Sequence, residues 1–528
     1  MIVKDVSFTQ EARQKLIDGV NKIGDAVKST LGAQGQTVLI ESENHTGGVT
    51  ITKDGVTVAK SISLLDPIEN IAVRIIREAA EKTATEAGDG TTTAIVLTQA
   101  IILSAKERIK EHMNKTEILR HLQGYYDEIE KRIDKKKKKI TSKKLKDVAS
   151  ISANNDREIG EIIANAYEKV GLGGVVTVED SDGNSTYFNM SEGMRISRGY
   201  TSRYFINNQK TEECVLENPY ILVLNSTVES IGALEHVLAD VLQQGKSILI
   251  IGEIDPKVLN TLNLNKVRNG LKVCNILPPD FGWRKDEIMQ DIALAVGATY
   301  FSEDTGDNFQ LVRMADLGTA KKVIVDASNT IIVRSDDPER ADAIDRHVEK
   351  LWEQHESSKY QDFIKDRIAT ISGKIGVIHV GGNSDIEQKE KKDRVEDSVC
   401  ATRAALEDGI LAGGGIVLRE IADDLAKLGN GQNQRVAIKI LEDSLKAPFR
   451  QILTNAGLDY KTIEPNLDPG VGYDVKKDQY GNMLKLGIID PSKVTKTAVK
   501  SAISHSVGVF RSQEKSSTTL IRLLDFAY

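Results

Sequence analysis

Three cysteines in 528 residues, Cys214, Cys274 and Cys400, lie far apart and in no metal-ligand spacing. That excludes a disulfide framework and a cysteine-built zinc site, and it suits a reducing compartment. Basic charge is also in short supply. Seventy Lys and Arg stand against 77 Asp and Glu, a net charge of −7, whereas a dedicated nucleic-acid binder shows a basic face. No apolar run reaches the ~18 residues of a membrane span. The opening Met1-Ile2-Val3-Lys4-Asp5 lacks the apolar core of a signal peptide. The expectation is a cytoplasmic protein with neither nucleic acid nor membrane as partner. The commonest nucleotide motifs are missing as well. Gly245-Lys246-Ser247 resembles the end of a P-loop but follows a helical pattern and precedes a strand, the reverse of the required order. Gly470-Val471-Gly472 is not continued into a dinucleotide fingerprint. Aromatic residues make up only 5%, yet 40% of the chain is hydrophobic, enough at this length for more than one core and roughly two to four domains.

What is present centres on Gly88-Asp89-Gly90-Thr91-Thr92-Thr93, followed by the apolar run Ala94-Ile95-Val96-Leu97. Two glycines allow a tight turn and a close approach of backbone to a ligand. Threonine N–H and hydroxyl groups can donate to phosphate oxygens, and the helix that follows adds the positive end of its dipole. Asp89 beside such an anion implies an intervening cation, and Mg²⁺ held by one carboxylate plus phosphates is the usual arrangement. The alternative is a capped helix start with no ligand.

In chain order, residues 9–31 carry apolar positions at helical spacing and stop at Gly32-Ala33-Gln34-Gly35, a second candidate phosphate contact. Residues 37–52 read as a β-hairpin that delivers Lys53-Asp54-Gly55. Residues 67–87 and 93–131 read as long helices. The lysine run Lys135 to Lys139 reads as a solvated helix end or linker and marks a boundary. From about 192 to 375, buried-strand runs such as Ile221-Leu222-Val223-Leu224 and Ile248-Leu249-Ile250-Ile251 alternate with amphipathic helices, the pattern of an α/β domain. Helix returns over 385–408, where Asp397 by itself reads as one more charge on a solvated face. Gly413-Gly414-Gly415 then opens another helix.

These pieces in this order resemble a group I chaperonin of the GroEL-like, sixty-kilodalton class over nearly the whole chain. The segments that carry the likeness are Thr30-Leu31-Gly32, Ile51 to Val56, Gly88 to Thr93, Ile151 to Asn154, Arg198-Gly199-Tyr200, Tyr204 to Asn207, Arg394 to Asp397, Ala412 to Gly415 and Asp490-Pro491. The resemblance implies a multidomain α/β and α fold. Its mainly helical equatorial ATP-binding domain would span 1–135 and 409–528, a small intermediate hinge domain 136–191 and 376–408, and an α/β apical domain 192–375. It further implies an ATPase that assembles as a homo-oligomer with seven-membered rings, single or double, and folds non-native polypeptides, with a co-chaperonin as possible partner. A polypeptide-binding ring with impaired ATP cycling is the alternative.

Residue by residue, the resemblance makes Asp89 the magnesium ligand and Gly90, Thr91, Thr92 and Thr93 the phosphate cradle. Thr30, Leu31, Gly32, Ala33 and Lys53 become nucleotide contacts, Thr30 and Lys53 also potassium contacts. Ser152 and Gly414 line the site, and Asp490 meets the ribose. Asp54 and Asp397 position and activate the attacking water. Asp474, Val475 and Lys476 form the adenine-contacting segment, where the chain departs from the family's pattern. Tyr200, Ser202, Tyr204, Phe205, Leu238, Leu259 and Leu264 fall on the surface that binds unfolded chains and the co-chaperonin, although each leucine alone could be ordinary core. Glu235 and Asn263 are polar at positions of that surface that are normally apolar. Between two rings, Arg450 would pair with Asp459.

Overall fold

The computed structural model describes residues 3–7, 10–41, 49–171, 174–181, 183–209, 211–302, 306, 311–429, 431–511 and 520–524. The chain separates into two compact units, one comprising Met1–Glu168, Val178–Phe188 and Ile378–Tyr528, the other Lys169–Thr177 and Asn189–Val377. The first is mainly helical and the second α/β, in keeping with the multidomain fold class expected.

The first unit is organised around the helix Thr91–Arg108, which is apolar nearly all round. A helix of that kind can only be stable when it is buried on every side. Its Ile95 and Ile102 pack into one core with Leu16, Val20, Ile23 and Val27 of the helix Gln10–Lys28 and with Val73 and Ile76 of the helix Pro67–Ala87. Its Leu97, Ile101 and Ala105 enter a second core with Ile118 and Leu122, Ile438 and Leu441, and Ala498 and Ala502. The start of this helix is thereby held from two sides. The preceding helix begins at Asp66, whose carboxylate accepts from Ile68 N–H at 2.8 Å, with Pro67 at its first position. It ends at Gly88 with φ +73°, and Gly90 at φ +83° opens the next helix. Both angles are left-handed, where a side chain is strained, which is why glycine stands on either side of Asp89.

The expected hairpin is present, with Val38–Glu41 antiparallel to Val49–Thr52; its tip, residues 42–48, lies outside the described residues. The helix expected over 93–131 is two helices, Thr91–Arg108 and Lys115–Lys136. The break is a capping event: the Asn114 side chain accepts from Glu117 N–H at 3.1 Å and starts a second helix. The lysine run is a solvated helix end, as expected: the helix Lys115–Lys136 stops within it, and Lys135, Lys137, Lys138 and Lys139 are exposed. Lys136 pairs with Glu420 and Lys137 with Asp408, both at 2.7 Å, while the Lys138 backbone bridges to Ile410.

In the second unit the strands Thr330–Arg334, Gly318–Val325, Tyr220–Leu224, Ser247–Ile251 and Lys272–Ile276 lie side by side in that order. The first two pairings are antiparallel and the last two parallel, with Ile221 opposite Leu249 and Leu249 opposite Cys274. The helices Glu235–Gln243 and Pro256–Asn269 make the crossovers. Every residue of Ser247–Ile251 is buried, as a central parallel strand requires. Gly245-Lys246-Ser247 is the helix-to-strand turn expected from its order. Among the described residues no helix is long and apolar enough to cross a membrane.

Candidate functional site

A cavity of about 640 Å³ opens in the helical unit at the start of the helix Thr91–Arg108. That size is within the range of small-molecule sites. The first N–H groups of a helix have no partner within it, and no side chain caps this one, so Thr91, Thr92 and Thr93 present donors at the cavity wall. Asp89 stands beside them. Its Oδ1 accepts from Gly90 N–H and its Oδ2 from the Ser152 hydroxyl at 3.2 Å, which fixes the plane of the carboxylate.

Several other stretches reach the same cavity. Thr30 to Ala33 form the turn after the first helix. Thr30 is tied by its hydroxyl to Val27 O at 2.9 Å, and the Asn455 amide donates to Lys28 O and Leu31 O, both at 2.8 Å. Lys53 and Asp54 leave the hairpin. The Asp54 carboxylate caps the helix Gly55–Ser61, accepting from Val56 N–H at 3.2 Å, Thr57 N–H at 2.9 Å and the Thr57 hydroxyl at 2.6 Å. Glu390, Asp393, Arg394 and Asp397 line the cavity from the helix Asp385–Asp408. Their spacing of three, four and seven puts them on one helical face. Arg394 is held by Asp156 at 3.3 Å and Glu390 at 2.9 Å, and Ser398 ties the helix to Ala149 O at 2.7 Å. Gly414, the segment Asp474–Lys476 and Asp490 reach it from three further places in the chain. Asp474 closes its own loop by accepting from Lys476 N–H at 3.0 Å, and Gln34 donates to Val475 O at 3.2 Å, so the loop is tied to the turn at Gly32.

Asp490 is electrostatically unusual. Burial first, then the nearby charge of Asp89, push its carboxyl up to about 7, while N–H groups of Gly415 and Gly414 hold it down. Its residual exposure faces the cavity it lines. Two carboxylates so placed favour a cation between or beside them. Among the described residues no three His, Cys, Asp or Glu side chains converge on a metal position. The single carboxylate of Asp89 is nevertheless what Mg²⁺ takes when phosphate oxygens and waters complete its octahedron. The donor set therefore suits a magnesium–phosphate ligand.

Every nucleotide-site residue named from the sequence lines this cavity. Not named were Asn155, Glu390, Tyr473 and Met483, which line it too. Asn154 and Asn155 adopt φ +57° and +64° in succession, a conformation that asparagine tolerates better than most residues. Two adjacent asparagines after a helix were the available signal.

The residues expected on a polypeptide-binding surface, all in the α/β unit, divide. Tyr204 is 68% exposed and Leu264 53%, with Val267 exposed beside them. Ser202 caps the short turn Arg203–Phe205, and Tyr200 and Leu259 are half-buried against the core. Phe205 and Leu238 do not belong to a surface: they are 0% and 8% exposed. Leu238 shares the inward face of its helix with Val237 and Val241, and Phe205 fills the core beneath the carbonyl that Lys266 binds. Glu235 is exposed, and Asn263 Oδ1 is buried without a hydrogen-bond partner. In the helical unit, Arg450 pairs with Glu464 at 2.8 Å, and Asp459 caps the helix Tyr460–Ile463.

Two crystal structures of the chaperonin gp146 from the bacteriophage EL 2 (Pseudomonas aeruginosa), both in the presence of ATP-BeFx, share this fold. Crystal form II superposes with a TM-score of 0.66 at 22% identity, covering 99% of each chain. Crystal form I gives 0.61 at the same identity and coverage. The model of the TCP-1/cpn60 chaperonin family matches residues 23–514. With that match over nearly all of its length, the chain belongs to the TCP-1/cpn60 chaperonin family.

Proposed function

We propose that this chaperonin binds and hydrolyses ATP and uses the cycle to capture non-native polypeptides and promote their folding inside a ring of its own copies. The observation that carries the reading is the meeting, in one cavity, of an uncapped helix start, Asp89, and the carboxylates of Asp54 and Asp397 brought in on two other segments. Thr91, Thr92 and Thr93 would receive the phosphates through backbone N–H groups, and Asp89, held by Ser152, would hold Mg²⁺. Thr30 and Lys53 would contact K⁺, and Asp490 the ribose. Cations held by these residues would supply positive charge against the phosphates. Asp54 and Asp397 orient the attacking water and take its proton. Asp54 is rigid because it caps a helix; Asp397 rides on the long helix Asp385–Asp408, so a shift of that helix would bring hydrolysis under conformational control.

The phage chaperonin gp146 was crystallised in the presence of ATP-BeFx, which makes the same nucleotide the first to try here. The proposal includes the three-domain division (1–135 with 409–528, 136–191 with 376–408, and 192–375), a seven-membered ring, a co-chaperonin and a cytoplasmic setting. Steady-state phosphate release by the purified protein, with and without Mg²⁺ and K⁺, tests the chemistry. Electron microscopy with and without ATP tests the ring. Absence of nucleotide-dependent turnover in intact rings would reduce the protein to a binding scaffold.

A further inference from the structure

Both tryptophans of this chain stand at exposed positions, Trp283 at 50% and Trp352 at 48%. Trp283, one of two tryptophans, is the first residue of the helix Trp283–Val296 and stands half in solvent. It packs on Tyr360, with ring centres 5.0 Å apart, and edge-on to Phe363 at 5.2 Å. The Arg284 guanidinium lies 5.7 Å from the Trp283 ring and 5.2 Å from the Phe363 ring. Next to them Phe281 is 81% exposed, with the Arg198 guanidinium 5.7 Å from its centre.

The charges around this patch are unequally satisfied. Arg367, which also approaches Phe363, is neutralised by Asp291 and Glu287. Arg284 and Arg198 have no carboxylate partner among the described residues; Arg198 only donates Nε–H to Pro278 O at 3.0 Å. Exposed aromatics and unpaired arginines together have the composition that dominates binding energy at protein interfaces. The aromatic faces supply apolar area and the planar guanidinium groups take a carboxylate through two parallel hydrogen bonds. Both halves of that chemistry specify the occupant.

We propose that Arg198, Phe281, Trp283, Arg284, Tyr360 and Phe363 form a second polypeptide-binding site, separate from the Tyr204 and Leu264 surface and selective for segments that carry aromatic and acidic side chains together. This rests on the reading that the chain captures non-native polypeptides. The patch then gives such capture a charge preference, which an apolar helix face cannot supply.

The test uses the assembled full-length protein carrying Trp352→Phe, so that Trp283 is the only tryptophan. Two synthetic peptides of equal length are titrated, one alternating Phe with Glu and one alternating Phe with Lys. The expected result is a shift in Trp283 emission and a Kd about tenfold lower for the Glu peptide. Arg284→Glu should remove that advantage, and Leu264→Glu should leave it intact. If Arg284→Glu disturbs folding, Phe281→Ser, at a position already in solvent, should weaken the Glu peptide several-fold. Equal affinity for both peptides, or binding that Leu264→Glu abolishes and Arg284→Glu does not touch, overturns the second site while leaving polypeptide capture standing. A change in the mass of the assembly without a change in peptide affinity overturns it in favour of a contact between copies. Failure of the protein to bind either peptide or any denatured chain removes the capture reading and this site with it.

Discussion

Asp490 feels the charge of Asp89: burial and that neighbouring carboxylate lift its own carboxyl from 3.8 to about 7. The folded protein therefore keeps a proton that the unfolded chain gives up, so stability falls as pH rises from about 4 to about 7 and the whole cost is present above that. Asp490→Asn, which can still accept from Gly414 and Gly415, should raise the Tm of the ligand-free protein at pH 8 by about 2 °C or more, and by less at pH 5. Calorimetry at the two pH values is the check, and an equal gain at both would contradict the assignment.

Asp397 lines the cavity from a helix far in sequence from the phosphate-binding turn. Asp397→Ala should bind ATP nearly as the parent does yet hydrolyse it ~10²-fold or more slowly, the range expected when a water-activating group is removed. Nucleotide binding and single-turnover hydrolysis, measured on the same preparation, separate the two effects. Near-parental turnover in intact rings would refute the role.

Leu238 and Leu264 should respond oppositely to substitution. Leu264 is exposed, so Leu264→Glu should weaken capture of a denatured protein while leaving ATP hydrolysis unchanged. Leu238 is core, so Leu238→Ala should cost about 2–5 kcal/mol of stability in the α/β unit and affect capture only through unfolding. Chemical denaturation beside a capture assay distinguishes them. A stable Leu238→Ala protein with impaired capture would restore Leu238 to the surface.

Arg450 is engaged within its own chain, by Glu464 and over the Tyr460 ring at 5.1 Å, and Asp459 is engaged as a helix cap. A ring-to-ring pair between Arg450 and Asp459 must compete with both. Exposed ion pairs contribute only ~0–1 kcal/mol each, but a ring multiplies any change per subunit. Paired rings should therefore separate into single rings as salt is raised, with sedimentation velocity as the measurement. Double rings that persist at low protein concentration and high salt would show that apolar contacts hold them.

The elements set by local chemistry were legible in the sequence alone. Asp66-Pro67 and Gly88 bound one helix as caps do, and Gly88-Asp89-Gly90 announced the turn into the next. The strand and helix alternation from Tyr220 to Ile276 followed from periodicity, and the helix over 385–408 was read with its observed ends. Such signals need only neighbours three or four residues away. The break at Asn114 was missed because the apolar period runs on through it, and a single side-chain cap decided the matter.

Only the tertiary structure could bring Asp397 and Asp490 to the cavity that Asp89 lines, since the three lie on segments from 93 to 401 residues apart in sequence, joined where Ala87, Ala404 and Val494 pack together. It also decided which apolar residues are surface. Val228, Ile231, Leu234, Val237, Leu238 and Val241 repeat at helical spacing, yet Val228 lies in a β-bridge, Ile231 in a short 3₁₀ turn, and only Val237, Leu238 and Val241 on the helix. An amphipathic pattern says that a face is buried. Whether a leucine at its edge, such as Leu238 or Leu264, meets the sheet or the solvent depends on how the helix is rotated against partners distant in sequence, and that rotation is set by the core they build together.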